Sequence, residues 1–332
     1  MAKINKVLGQ ILPGELGKTL VHEHCVIGFS GWECDPLPGG LSRAEMIENC
    51  IQALLPARDL GLQSIIEATP PDLGRDVEIL KAVSESTGVH IICSTGRYTE
   101  EYGKWAYLKQ RDKLGAGDLQ SELYDAFMYE ITVGIGRSGV RAGAIKVATS
   151  LNRMAPCEES VLAAAARASK ETCVPIITHT EGGTLGPEQV KFLLAEGVAP
   201  GRIMIGHMCD NLGSDCQGDQ KEIMQTGSSM AYDRFGLEVY IKDEQRVEAL
   251  AALIGEGYAE KIMISHDYVG ASLGRGGMWP NRLPKQIASL VPNWSYTNIF
   301  RRILPALKKA GITDQQIHTL MVENPRQLLG ST

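Results

Sequence analysis

The sequence predicts an α/β fold, a (β/α)8 TIM barrel forming a single domain over residues 1–332, and three observations point to it. Eight short apolar runs alternate with helical patterns. They recur at intervals of roughly 25–50 residues along the whole chain. The first run is not followed by a G-x-G-x-x-G turn opening a helix, so the fingerprint of an open dinucleotide-binding sheet is missing.

The runs are TLVHEH (19–24), QSIIEAT (63–69), HIICST (90–95), AGAIKVA (142–148), VPIITHT (174–180), RIMIGH (202–207), SSMAYD (228–233) and KIMISHD (261–267). They are brief, rich in β-branched residues and apolar on both faces, as parallel strands covered on both sides must be. Amphipathic stretches lie between them at 42–61, 75–88, 158–173, 187–197 and 244–257. Several begin at Ser, Asp or Glu and end at Gly, which supply the caps a helix needs. The charged stretch TEEYGKWAYLKQRDK (99–113) reads as a loop, and LGRGG (273–277) as a flexible loop after the eighth strand. The segment 268–286 is long enough for a lid.

Composition narrows the function classes. The 332 residues are 44% hydrophobic and 22% charged, an ordinary globular balance. Net charge is −6, from 33 basic and 39 acidic residues, which argues against a nucleic-acid or anionic-membrane partner. No signal-peptide pattern or 18-residue apolar run is present, and the eight dispersed cysteines form no CxxC pair. A cytoplasmic protein with reduced thiols is the expectation.

The informative residues end the strands. Five of the seven histidines sit there: His22, His24, His179, His207 and His266. Barrel active sites are built at this face. In a strand, residues i and i+2 share a face, so His22 and His24 converge on the lumen while Glu23 turns outward. His179, His207 and Asp267 approach the same point from other strands. Imidazole and carboxylate suit zinc, manganese, cobalt or iron. Lys146, inside GAIKVA, fits poorly as an ammonium among metal ions. Either it stays neutral because burial lowers its pKa, or it reacts with CO2 to form a carbamate able to bridge two ions. His266 faces the other side of its strand and reads as a structural or supporting histidine.

This set resembles the phosphotriesterase family of the amidohydrolase superfamily, and most closely its lactonase branch. The resemblance is carried by GELGKTLVHEH (14–24), DLGRDV (72–77), GAIKVA (143–148), ITHT (177–180), IGH (205–207), AYDRFG (231–236), ISHD (264–267) and MVENPRQLL (321–329). It implies a homodimeric hydrolase with two divalent metal ions, zinc first and cobalt, manganese or iron as alternatives. His22, His24 and Asp267 would hold the more buried ion, and His179 and His207 the more exposed one. Lys146, as N6-carboxylysine, and a hydroxide would bridge both. The hydroxide would open a lactone, with Asp267 accepting its proton, and phosphotriesters would be turned over promiscuously. Tyr98 and Arg234 match lactonase-branch positions near the substrate. Trp279, Met278 and Trp32 are candidates for an apolar substrate wall. Arg97 leaves room for an anionic substrate if it points inward. The alternatives are a dedicated phosphotriesterase, a hydrolase of another carboxylic or phosphate ester, and a barrel without activity.

Overall fold

A computed structural model describes residues 3–239, 241–275 and 288–330. A short hairpin, β1 (Ile4–Lys6) and β2 (Gly9–Ile11), precedes the barrel. The barrel strands are β3 (Thr19–Ile27), β4 (Ser64–Glu67), β5 (His90–Gly96), β6 (Ala144–Thr149), β7 (Ile176–Thr180), β8 (Ile203–Ile205), β9 (Ser229–Tyr232) and β10 (Ile262–Ile264). Each is parallel to its neighbour in sequence order, from β3 round to β10. The eight predicted runs are these eight strands, with ends that differ by at most three residues.

The helices α1 (Arg43–Asp59), α2 (Val77–Thr87), α5 (Pro156–Thr172), α6 (Gly186–Ala195) and α8 (Asp243–Gly255) occupy the five amphipathic stretches. Helices outside those stretches include α3 (Ala106–Lys113), α4 (Leu119–Thr132) and α7 (Ser214–Gln225). The loop expected over 99–113 is therefore half helix. No residue of α3 is buried, so its sequence lacks the apolar stripe that announces a helix.

The segment after the eighth run also departs from expectation. Val269–Ser272 is not lid but a further strand, β11, parallel to β3. The eighth barrel strand is thus broken: β10 bonds to β9 below, β11 bonds to β3 above, and Ser265–Tyr268 bridges them. Glu23, buried and turned outward from the lumen, holds the break. Its carboxylate accepts from Ser265 Oγ (2.7 Å), His266 N (2.9 Å), His266 Nδ1 (2.9 Å) and Tyr268 N (2.9 Å). The rest of the expected lid, 276–286, lies outside the described residues, and Met278 and Trp279 with it.

One inner layer explains where the site must be. Val21, Ile66, Ile92, Ala144, Ile177, Met204, Ala231 and Met263, one from each strand, form an apolar plug inside the barrel. Ile4, Ile11, Leu328 and Leu329 join it. Side chains two residues further along a strand share its face. Above Ala144 stands Lys146, above Ile177 His179, and above Ala231 Asp233. The register between β3 and β4 shifts between Leu20 and Glu23. A bulge of that kind lets the adjacent residues Val21 and His22 both reach the interior.

Candidate metal centre

Four imidazoles, one amine and one carboxylate meet above the apolar plug. His24 Nε2 lies 3.0 Å from Asp267 Oδ1, and His22 Nε2 3.8 Å from the same oxygen. His207 Nε2 lies 3.8 Å from Asp267 Oδ2. The rings of His22 and His207 are 4.5 Å apart, and those of His207 and His179 4.6 Å. Lys146 Nζ is 2.6 Å from His22 Nε2. All six residues named as ligand candidates are therefore brought together.

The backbone takes unusual conformations to achieve this. His207 and Asp267 have φ of 64° and 54°, a region non-glycine residues rarely enter. Such strain is typically kept where the surrounding structure over-determines it. Asp267 N donates to His22 O (3.1 Å) and His207 N to Asp233 Oδ1 (2.8 Å), which fixes both. Gly96 is required beside Lys146: its φ is 120°, and a Cβ there would lie 1.8 Å from Lys146 O.

Outer partners decide which nitrogen of each ring faces inward. His24 Nδ1 is 2.8 Å from Thr69 Oγ1. Asp233, fully buried, takes two rings: its Oδ1 is 3.1 Å from His207 Nδ1, and its Oδ2 is 2.8 Å from His22 Nδ1. The second contact is an ion-pair approach with poor hydrogen-bond angles, yet neither atom has another partner among the described residues. With Nδ1 engaged on all three rings, their Nε2 atoms are left for the centre, as outer partners of metal-binding histidines arrange.

Burial and charge set the protonation states. Burial lowers His22 to about 4 and His207 well below the ordinary histidine value, so both rings are neutral at pH 7. Burial also lowers Lys146 to about 7, so its amine is partly neutral near physiological pH. Burial works against the charge on Asp267, but the neighbouring His207, Arg234 and His24 outweigh it and hold the carboxyl well below its usual range. The neutral imidazoles and the carboxylate are the protonation states a metal requires. The donor atoms of His22, His24 and Asp267 lie within 4.8 Å of one another and could hold an ion. His22, His207 and Asp233 satisfy the same distance. Asp233, however, does not line the cavity, and both its oxygens are turned to the rings it orients.

Arg234 donates through Nε to Asp267 Oδ2 (2.9 Å) and pairs with Asp210. Asp210 in turn faces the buried Arg246 at 3.4 Å. Arg234 thus bridges Asp210 and Asp267 and also reaches the cavity wall.

The centre floors a cavity of about 320 Å3. Tyr98 lies over His179, its hydroxyl 3.4 Å from both ring nitrogens, and burial raises its pKa well above the ordinary tyrosine value. Ile27, Phe29, Leu73, Leu237, Val291 and Trp294 supply an apolar wall. Trp32 and Arg97 do not line this cavity. His266 is structural: Nδ1 faces Glu23 and Nε2 accepts from Ile299 N (3.0 Å). Sequence reasoning missed the outer partners Thr69 and Asp233, the wall residue Trp294, and Glu181, which lies 2.9 Å from His179 Nε2. The signal for Asp233 and Thr69 was their place at strand ends, and Glu181 follows ITHT directly.

A (β/α)8 barrel carrying such a centre at the C-terminal ends of its strands defines a barrel hydrolase. The chain matches the model of the phosphotriesterase family over residues 2–329 and belongs to that family. It is 34% identical over 314 residues to the aryldialkylphosphatase of Saccharolobus solfataricus, covering 94% of this chain and 95% of that protein. The organophosphorus hydrolase of Deinococcus radiodurans superposes with a TM-score of 0.93 at 38% identity, covering 99% of this chain and 97% of that one. A structure described as organophosphate hydrolysis engineered from a weak promiscuous lactonase template gives a TM-score of 0.93 at 37% identity, covering 99% and 100%.

Proposed function

We propose that this protein opens lactones with a two-ion centre and hydrolyses phosphotriesters as a side activity. The observation that carries the reading is the convergence of His22, His24, Lys146, His179, His207 and Asp267 beneath an apolar-walled cavity roofed by the Tyr98 hydroxyl. The donor set fits two divalent ions, zinc in the first instance. His22, His24 and Asp267 would hold one ion, His179 and His207 the other, and Lys146 as its carbamate would span both. When bound, the ions supply Lewis acidity and a hydroxide at neutral pH.

The chain's own groups do the rest. Asp267, kept ionised by Arg234 and its histidine neighbours, is the group that would accept a proton at its carboxylate. The Tyr98 phenol, un-ionised because it is buried, donates toward the substrate oxygen above His179. Arg234 fixes the Asp267 carboxylate and borders the cavity. Phe29, Leu73, Leu237 and Trp294 exclude water and hold the hydrocarbon part of a neutral ester. Arg97, the basic residue that would have suited an anionic substrate, is not part of the lining. Trp279, the remaining candidate substrate contact, lies outside the described residues. The proposal includes a single catalytic domain, a cytoplasmic setting consistent with the free thiols among the described residues, and a homodimer supported by the family resemblance.

A panel of γ- and δ-lactones, carboxylic esters and paraoxon-type triesters, compared by kcat/KM after metal reconstitution, tests the reading. Lactones should exceed triesters. The reverse order would establish a dedicated phosphotriesterase, the reading favoured by relatives named aryldialkylphosphatase and organophosphorus hydrolase.

A further inference from the structure

Three of the four centre-facing imidazoles have an outer partner on Nδ1: Thr69 for His24, and Asp233 for His22 and His207. His179 differs. Its ring meets a carboxylate on the other nitrogen, with Nε2 2.9 Å from Glu181 Oε2. Glu181 opens a one-turn 3-10 segment, Glu181–Gly183, directly after β7. Gly182 and Gly183 turn the chain with φ of 59° and 69°. In Gly183 a Cβ would press on Asn211 Cβ (3.1 Å) and His207 O (3.3 Å), so the turn is seated against the strand end that carries His207. Glu181 is two residues from His179 and on the same side of the chain. Its side chain is 37% exposed and borders the cavity, whereas His179 is 3% exposed.

We infer that Glu181 is the positioning residue of His179: by accepting the Nε2 proton it commits the ring to the Nε2–H tautomer and leaves Nδ1 as the lone pair for the exposed ion. The inference rests on the two-ion reading above and deepens it. The three Nδ1-held rings present Nε2, and only His179 presents Nδ1. Its ring thereby approaches the centre by its short side, standing at 84° to the His207 ring with which it shares the exposed ion. A carboxylate in this role fixes ring orientation and raises ligand basicity, and loss of such a partner costs about 10- to 100-fold in metal affinity. Among the described residues the hydrogen-bond partner of the Glu181 carboxylate is His179, so the loss should fall on one ion of the two.

The test compares the native chain with Glu181→Ala and Glu181→Gln. The first measurement, on metal-free protein, is the 15N shift pattern of the His179 ring. The Nε2–H tautomer is expected in the native chain and in Glu181→Gln, whose amide oxygen still accepts, and a mixed tautomer in Glu181→Ala. The second is zinc release to a chelator. One of the two equivalents should leave about tenfold faster from Glu181→Ala, the other at the native rate, with Glu181→Gln close to native. A native-like tautomer in Glu181→Ala, or equal acceleration of both equivalents, overturns the inference. A native chain that holds no second zinc ion overturns the two-ion reading instead, and the tautomer measurement still decides whether Glu181 sets the ring.

Discussion

On the two-ion reading proposed above, replacing Asp233 by Asn should weaken the two sites unequally, and the geometry says which suffers. Asp233 Oδ1 receives two donors from His207, its backbone N at 2.8 Å and its Nδ1 at 3.1 Å, while Oδ2 faces His22 Nδ1 at 2.8 Å. An amide offers one acceptor oxygen and one donor group. Turning its NH2 toward His207 would oppose two donors, so the oxygen should stay there and the NH2 should meet His22 Nδ1–H. That clash is relieved only if His22 moves its proton to Nε2, the atom aimed at the centre. A charge-assisted hydrogen bond is worth about 1.5–3 kcal/mol. The His22–Asp233 contact has poor angles, so about 1.5 kcal/mol is the better figure, or roughly tenfold in affinity. Chelator competition on folded Asp233→Asn protein should find the ion shared by His22 and His24 bound about tenfold more weakly. The ion shared by His179 and His207 should be held nearly as before. Native affinity at both sites, or selective loss of the His207 ion, would refute the assignment of Asp233 as an orienting acceptor.

Lys146→Ala should abolish activity and tight loading of the second ion, and added short carboxylic acids should restore part of the rate; unchanged metal content and turnover would rule out the carbamate. Stability of the metal-free chain should depend on acid through His22. Its folded pKa of about 4 lies below the unfolded 6.5, so the unfolded chain takes up the proton first. The contribution is complete above pH 6.5 and is lost as pH falls toward 4, by about 3 kcal/mol, which urea unfolding across that interval measures; flat stability would contradict it. Trp294→Ala should cost about 3–5 kcal/mol in denaturant unfolding and raise KM for hydrophobic lactones more than it lowers kcat. The indole is 6% exposed, donates to His266 O (2.9 Å) and forms part of the wall. An unchanged KM would remove it from the binding surface.

The ligand candidates were legible because strand geometry is periodic. His22 and His24 share a face by spacing alone, and an apolar run ending in a histidine marks a strand that delivers it to the rim. The orienting groups follow no such local rule. Thr69 serves His24 because β4 lies beside β3, and Asp233 serves His22 across the barrel, so both roles depend on which strand ends meet. The break in the eighth strand was hidden because Asp267 takes a left-handed conformation that its residue type does not announce. The helix Ala106–Lys113 escaped because all its residues are at least partly exposed and no apolar period marks it. Trp294 was missed because it follows a segment with no readable pattern, and the apolar wall was sought in Trp279 instead.

The described anchors of Asp267 and its neighbours lie on both sides of residues 276–287. They are His22 O and the four-fold acceptor Glu23 on the first strand, Arg234 after the seventh, and Trp294 and Ile299 further on. These anchors come from the first strand, from the end of the seventh and from the residues after 290, so the Asp267 carboxylate is braced from several parts of the chain at once.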